Sequence, residues 1–221
     1  MKKKIKMKKL IMVALMAMTG IFFLNTSYAQ DPKAKSILNK VSAKMKSAKS
    51  LKANFSLAMK DAKGSVAQNI SGVFFMKGNK YRVNAGAQEI ICDAKSVWTY
   101  LKKNNEVQIS PYVAEEQAIS PAKLFSGVYE KEFHYSYKGS KTFSGKTVDV
   151  IELKPKTNMG FSRAELYVDP SGNIAGGNIF EPSGSSYAYT ISDITPNVNI
   201  ADAQFSFDEK AHPGVEVIDL R

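Results

Sequence analysis

From Leu51 onward the chain alternates apolar and polar residues with period two, and turn signals cut that alternation into short runs. No other feature constrains the fold as much, because a period of two lays one side of every run on a buried sheet face. Phe55, Leu57 and Met59 alternate with Asn54, Ser56 and Lys60, and Asp61-Ala62-Lys63-Gly64-Ser65 then makes a hairpin turn. The next run carries Ile70, Gly72, Phe74 and Met76 on one side and Val73 and Phe75 on the other. Further strands are predicted at 80–84, 88–92, 96–102, 106–110, 132–137, 147–153, 164–168, 173–181, 186–193 and 204–207. Asp93-Ala94-Lys95, Lys103-Asn104-Asn105, Asp169-Pro170-Ser171-Gly172 and Pro182-Ser183-Gly184 separate them. So many consecutive strands on short turns imply one antiparallel meander, strongly twisted or curled into a barrel.

Two stretches break the alternation. Residues 32–48 place Ala34, Ile37, Leu38, Val41, Met45 and Ala48 at helical spacing, with Lys33, Lys35, Lys40, Lys44 and Lys46 between them. Asp31 before Pro32 is the expected N-cap, with proline at the first helical position. Residues 120–128 read as a short helix, capped by Ser120 before Pro121, with Leu124, Phe125 and Val128 on one face. Both helices need apolar cover, and a curved sheet offers it.

The N-terminus reads as an export signal. Six lysines precede an apolar run from Leu10 to Leu24, and Ser27-Tyr28-Ala29 supplies small residues at the cleavage positions. The run is shorter than the roughly 20 apolar residues that span a bilayer. Cleavage is expected between Ala29 and Gln30, leaving a single domain over 30–221. Removing residues 1–29 from the 221 leaves 192 and takes the net charge from +11 to +5. The basicity is therefore mainly a targeting feature, and the sequence implies no nucleic-acid partner. An exported product works without ATP or NAD. Because Gln30 is not cysteine, the mature N-terminus lacks a lipid attachment point and the product is expected to diffuse freely.

Little chemistry is encoded. Cys92, the single cysteine, excludes an internal disulfide and reads as a small buried hydrophobe. His134 and His212 lie outside any ligand or nucleophile motif, and no His-x-x-x-His or Cys-x-x-Cys spacing occurs. Gly139-Ser140-Lys141 and Gly145-Lys146-Thr147 carry phosphate-loop fragments at the wrong spacing and read as hairpin turns. Glu115-Glu116 reads as solvated surface. The expectation is a non-enzymatic protein with no cofactor and no metal.

Several segments, in order, carry a family resemblance: Leu51-Lys52-Ala53-Asn54-Phe55-Ser56; Gly72-Val73-Phe74-Phe75-Met76-Lys77; Asn79-Lys80-Tyr81-Arg82; and Cys92-Asp93-Ala94-Lys95-Ser96-Val97-Trp98-Thr99-Tyr100. Ala203-Gln204-Phe205-Ser206-Phe207 before Pro213-Gly214-Val215-Glu216-Val217 completes the set. Together they resemble the periplasmic outer-membrane lipoprotein carrier family, LolA, over most of the mature chain. The resemblance implies an α+β fold: an incomplete, strongly curved antiparallel β-barrel whose concave face is covered by the N-terminal helix and a short internal helix. It also implies a periplasmic shuttle, and a freely diffusing shuttle is expected to be a monomer. Acylated lipoprotein would be its cargo, an inner-membrane ABC-type release complex its donor and an outer-membrane receptor lipoprotein its acceptor. A LolA-like lipid or lipopeptide binder, or a lipoprotein-sensing regulatory module, is the alternative. Family members often carry Lys-Arg-Pro before the asparagine of the third motif, and that arginine helps hold the lid closed; Lys77-Gly78-Asn79 has neither arginine nor proline.

Alternation picks out the apolar faces that the resemblance implies line an acyl-chain cavity, with plain core packing as the alternative for each residue: Phe55, Leu57, Met59, Phe74, Met76, Tyr81, Val83, Trp98 and Tyr100 from the strands, Leu124 and Phe125 from the short helix, and Ile37, Leu38 and Val41 from the first helix. Residues 97–101 are apolar on both sides, which leaves the facing of Trp98 and Tyr100 open.

Overall fold

The structure is a computed structural model that describes residues 31–113 and 129–221. The export signal, the Ala29–Gln30 cleavage site, the Glu115-Glu116 pair and the 120–128 helix with Leu124 and Phe125 lie outside the described residues.

Helix α1 (Pro32–Ser47) begins where expected. Asp31 accepts hydrogen bonds from the Lys33 and Ala34 amides at 2.9 and 3.2 Å, satisfying donors that a helix N-terminus leaves open. Strands β1 (Leu51–Lys60), β2 (Val66–Lys77), β3 (Lys80–Ala85), β4 (Gln88–Cys92), β5 (Ser96–Leu101) and β6 (Glu106–Pro111) follow as a meander. After the one-turn helix α2 (Tyr129–Glu132) come β7 (Phe133–Phe143), β8 (Lys146–Pro155), β9 (Arg163–Val168), β10 (Ile174–Phe180) and β11 (Ser186–Pro196). The last strand is β12 (Glu216–Asp219). All twelve form one curved, unclosed sheet in the order β12-β6-β5-β4-β3-β2-β1-β11-β10-β9-β8-β7. The first meander and the second therefore join through the antiparallel pair β1–β11.

The helix-bearing, concave face holds two apolar clusters. Under α1 lie Ala34, Leu38 and Val41 with Tyr135, Ile151, Leu153, Leu166 and Val168 of β7–β9. Across β1–β5 lie Leu51, Phe74, Met76, Tyr81, Cys92 and Val97. Met45, near the C-terminus of α1, packs against both clusters.

Three expectations are corrected. Residues 204–207 are not a strand: Asp202–Phe205 is a 3-10 turn, because Phe205 plugs the outer face, only 1% exposed, instead of entering the ladder. Gly139-Ser140-Lys141 is not a hairpin turn. Gly139, at φ +100°, sits in a bulge between Tyr137 and Ser140 that lets β7 continue to Phe143. The C-terminal residues Glu216–Asp219 add an unexpected strand, β12, parallel to β6.

Candidate ligand-binding face

Directly opposed residues of an antiparallel ladder share a face, so the pairing registers define the inner wall. One row runs Leu51–Met76–Tyr81–Cys92–Val97, and the next Ala53–Phe74–Val83–Ile90–Thr99. Further along β1, Phe55 opposes Gly72 and Ile191, Leu57 opposes Ile70 and Tyr189, and Met59 opposes Gln68 and Tyr187. Beyond β11 the same side continues through Ile179, Ala164 and Leu153, and through Gly177, Leu166 and Ile151.

Burial divides this wall. Phe74, Met76 and Tyr81 are buried, as are Leu38 and Val41 of α1. Phe55, Leu57, Met59, Ile70, Val83, Ile90, Ile179, Tyr187, Tyr189, Ile191 and the helical Ile37 are only half-buried. These side chains form an apolar band between the two clusters. Within it the Phe55 ring lies over Gly72, where an added Cβ would sit 2.7 Å from the ring. Tyr189 likewise covers Gly177. A glycine in a strand interior marks such a close approach.

Of the lining residues expected from the sequence, Phe55, Leu57, Met59, Phe74, Met76, Tyr81 and Val83 share the inner face, with Ile37, Leu38 and Val41 above it. Trp98 and Tyr100 do not. Tyr100 opposes Glu89 and Val107, and Trp98 opposes Ile91 and Ile109, on the other face of the sheet. There Tyr100 meets Phe207 at 5.3 Å and His212 at 4.6 Å between ring centroids. A C-terminal strap, residues 200–215 leading into β12, covers this outer side, which is why both sides of β5 are apolar. The β7–β11 half of the wall was missed, although Tyr187, Tyr189 and Ile191 carry the same alternation as Phe55 to Met59.

Polar bonds hold α1 along one side. Asp31 accepts from the Tyr137 amide of β7 at 2.9 Å, and this bond is the main reason its pKa is lowered. Lys33 lies 3.7 Å from the Tyr137 ring centroid. Lys35 pairs with Glu130 at 2.9 Å, and Lys40 and Lys44 donate to the carbonyls of Pro170 and Ser171. All these partners belong to the β7–β10 half. Lys77, in the motif that lacks the family arginine, turns instead to the outer strap: it bonds Asp202 at 2.7 Å and the Ile200 carbonyl at 3.2 Å. Arg82 joins it, bonding Glu89 and the Gln204 carbonyl.

Cys92 is buried beside Tyr81, and burial raises its thiol pKa, so it packs as a core residue rather than presenting a thiolate. Among the described residues, no group of three or more His, Cys, Asp or Glu side chains is placed to hold a metal. An open groove of about 430 Å³ lies where the inner wall reaches the hairpin ends, lined by residues that include Gln68, Ile70, Ala85, Gln88, Leu101 and Asn104.

The chain is similar to several known proteins. An uncharacterized protein of Methanocaldococcus jannaschii is 29% identical over 164 residues, 73% of this chain; the chain spans 48% of that relative's length. The crystal structure of an uncharacterized conserved protein from Thermus thermophilus shares the fold, with a TM-score of 0.57 at 15% identity over 85% of this chain and 99% of that one. A LolA superfamily protein from Nitrosomonas europaea aligns with a TM-score of 0.43 at 14% identity, covering 80% of this chain and 98% of its own. The family model described as outer membrane lipoprotein carrier protein LolA matches residues 46–208, and with this match the chain belongs to the LolA family.

Proposed function

We propose that this protein is an exported carrier that shields the acyl chains of lipoproteins on its inner apolar face while they cross the periplasm. The observation that carries the reading is the band of half-buried apolar side chains around Phe55, Leu57, Met59 and Ile191, bordered by buried clusters on both sides. A plain core would bury such residues fully. Each acyl CH₂ removed from water is worth about 0.8 kcal/mol, so a wall of this kind holds a long chain without covalent chemistry. Methionines 45, 59 and 76 suit the task, because a flexible thioether adapts to an irregular guest. The role is non-enzymatic. An inner-membrane ABC-type complex would load the cargo and an outer-membrane receptor lipoprotein would accept it.

Native mass spectrometry of protein purified from its own envelope is the direct test, alongside titration with a dipalmitoyl lipopeptide. Acylated adducts and saturable binding, both lost in Leu57→Glu, are expected. Bare protein together with no saturable binding overturns the proposal.

A further inference from the structure

Strand β2 is longer than its neighbour. From Gly72 to Lys77 it pairs with β3 on one side, from Gly72↔Ala85 to Lys77↔Lys80. Among the described residues its first half, Val66–Ser71, pairs with β1 alone, through contacts that include Met59↔Gln68, Ala58↔Asn69, Leu57↔Ile70 and Ser56↔Ser71. The other edge of that half-strand faces the groove of about 430 Å³, whose walls are the β3–β4 turn at Gly86 and Ala87 and the β5–β6 turn at Lys103 and Asn104. A volume of this size lies in the ordinary range of ligand pockets.

The groove floor continues the acyl-binding wall. Ile70 opposes Leu57 on the inner face, and Ala85 opposes Gly72, over which the Phe55 ring lies. The same lining also holds uncharged amides, Gln68, Asn69, Gln88 and Asn104, and the cation Lys103. Val66, 54% exposed, extends the free edge outward. A guest with acyl chains on the wall would thus carry its polar part along an unpaired strand edge flanked by side chains that donate and accept hydrogen bonds.

We infer that the groove is a peptide subsite: the N-terminal polypeptide segment of an acylated guest adds to the free edge of β2 as an extended strand. Edge addition supplies main-chain hydrogen bonds without reading sequence, and the amides serve varied side chains. This deepens the carrier reading and rests on it. It commits the site to an acylated polypeptide rather than a free fatty acid or a phospholipid.

The test compares S-dipalmitoylglyceryl cysteine methyl amide with the same anchor bearing a short peptide, titrated into the full chain. The peptide form is expected to bind at least about tenfold more tightly, the worth of one or two net hydrogen bonds. N-methylation of the peptide backbone, or Ala87→Trp in the exposed turn, is expected to remove that gain and leave the methyl amide's affinity unchanged. Equal affinity for the two ligands, or a gain that survives both changes, overturns the peptide subsite and leaves the carrier reading standing. Failure of both ligands to bind overturns the carrier reading and the subsite with it.

Discussion

Replacing Gly72 with alanine adds one methyl group at the centre of the inner wall, where β1, β2 and β3 meet. The new Cβ would lie 2.7 Å from Phe55 Cζ and 2.8 Å from Cε1, and it would also press on the Asn84 carbonyl of β3. The ring can swing aside. The carbonyl cannot move without bending the β2–β3 ladder between Gly72↔Ala85 and Val73↔Asn84. Overpacking of this kind costs about 1–3 kcal/mol. At about 2–4 °C per kcal/mol for a chain of this size, the melting midpoint should fall by about 2–12 °C. Circular dichroism melts of Gly72→Ala, Phe55→Ala and the double variant separate the two contacts. The double variant should recover the ring's share as a coupling energy but not the share due to the carbonyl. An unchanged midpoint in Gly72→Ala, or full recovery in the double variant, would refute the close packing described for this position.

Tyr100→Ala should lower stability by about 3 kcal/mol or more, as large aromatic truncations do, yet leave acyl-ligand affinity intact, because the ring packs under the outer strap; a matched loss of affinity in ligand titration would place Tyr100 in the site after all. Asp31 has a folded pKa below its ordinary 3.8, so its stabilising contribution is full above that value and is lost as pH falls through the folded pKa. Melts across that acid range should show a smaller loss in Asp31→Asn, which caps the helix without titrating; identical acid profiles would count against the bond to Tyr137. Cys92 should resist a thiol reagent in the folded protein and react fully in denaturant, and rapid native labelling would contradict its burial beside Tyr81.

Much of the scaffold is legible along the chain because its causes are local. The N-cap and helical spacing of 32–47, the period of two in β1 to β5 and the turns at 61–65 and 169–172 each depend on neighbours a few residues apart. The same alternation put Phe55, Leu57, Met59, Phe74 and Met76 on one side of the sheet. Where local cues misled, a distant segment intervened. Phe205 and Phe207 alternate like a strand but serve as contacts for a sheet face laid down a hundred residues earlier.

The sequence by itself therefore determined a helix followed by an antiparallel meander with one continuous apolar side, since periodicity and turn chemistry act through adjacent residues. Tertiary structure alone decided which way β5 faces. Val97, Thr99 and Leu101 look inward, and Trp98 and Tyr100 look outward, because the C-terminal strap returns to bury the second side. It also decided that β2 outruns β3, which among the described residues leaves one edge of Val66–Ser71 unpaired beside the apolar wall. Strand overhang and strap docking are relations between segments far apart in the chain, and no local period records them.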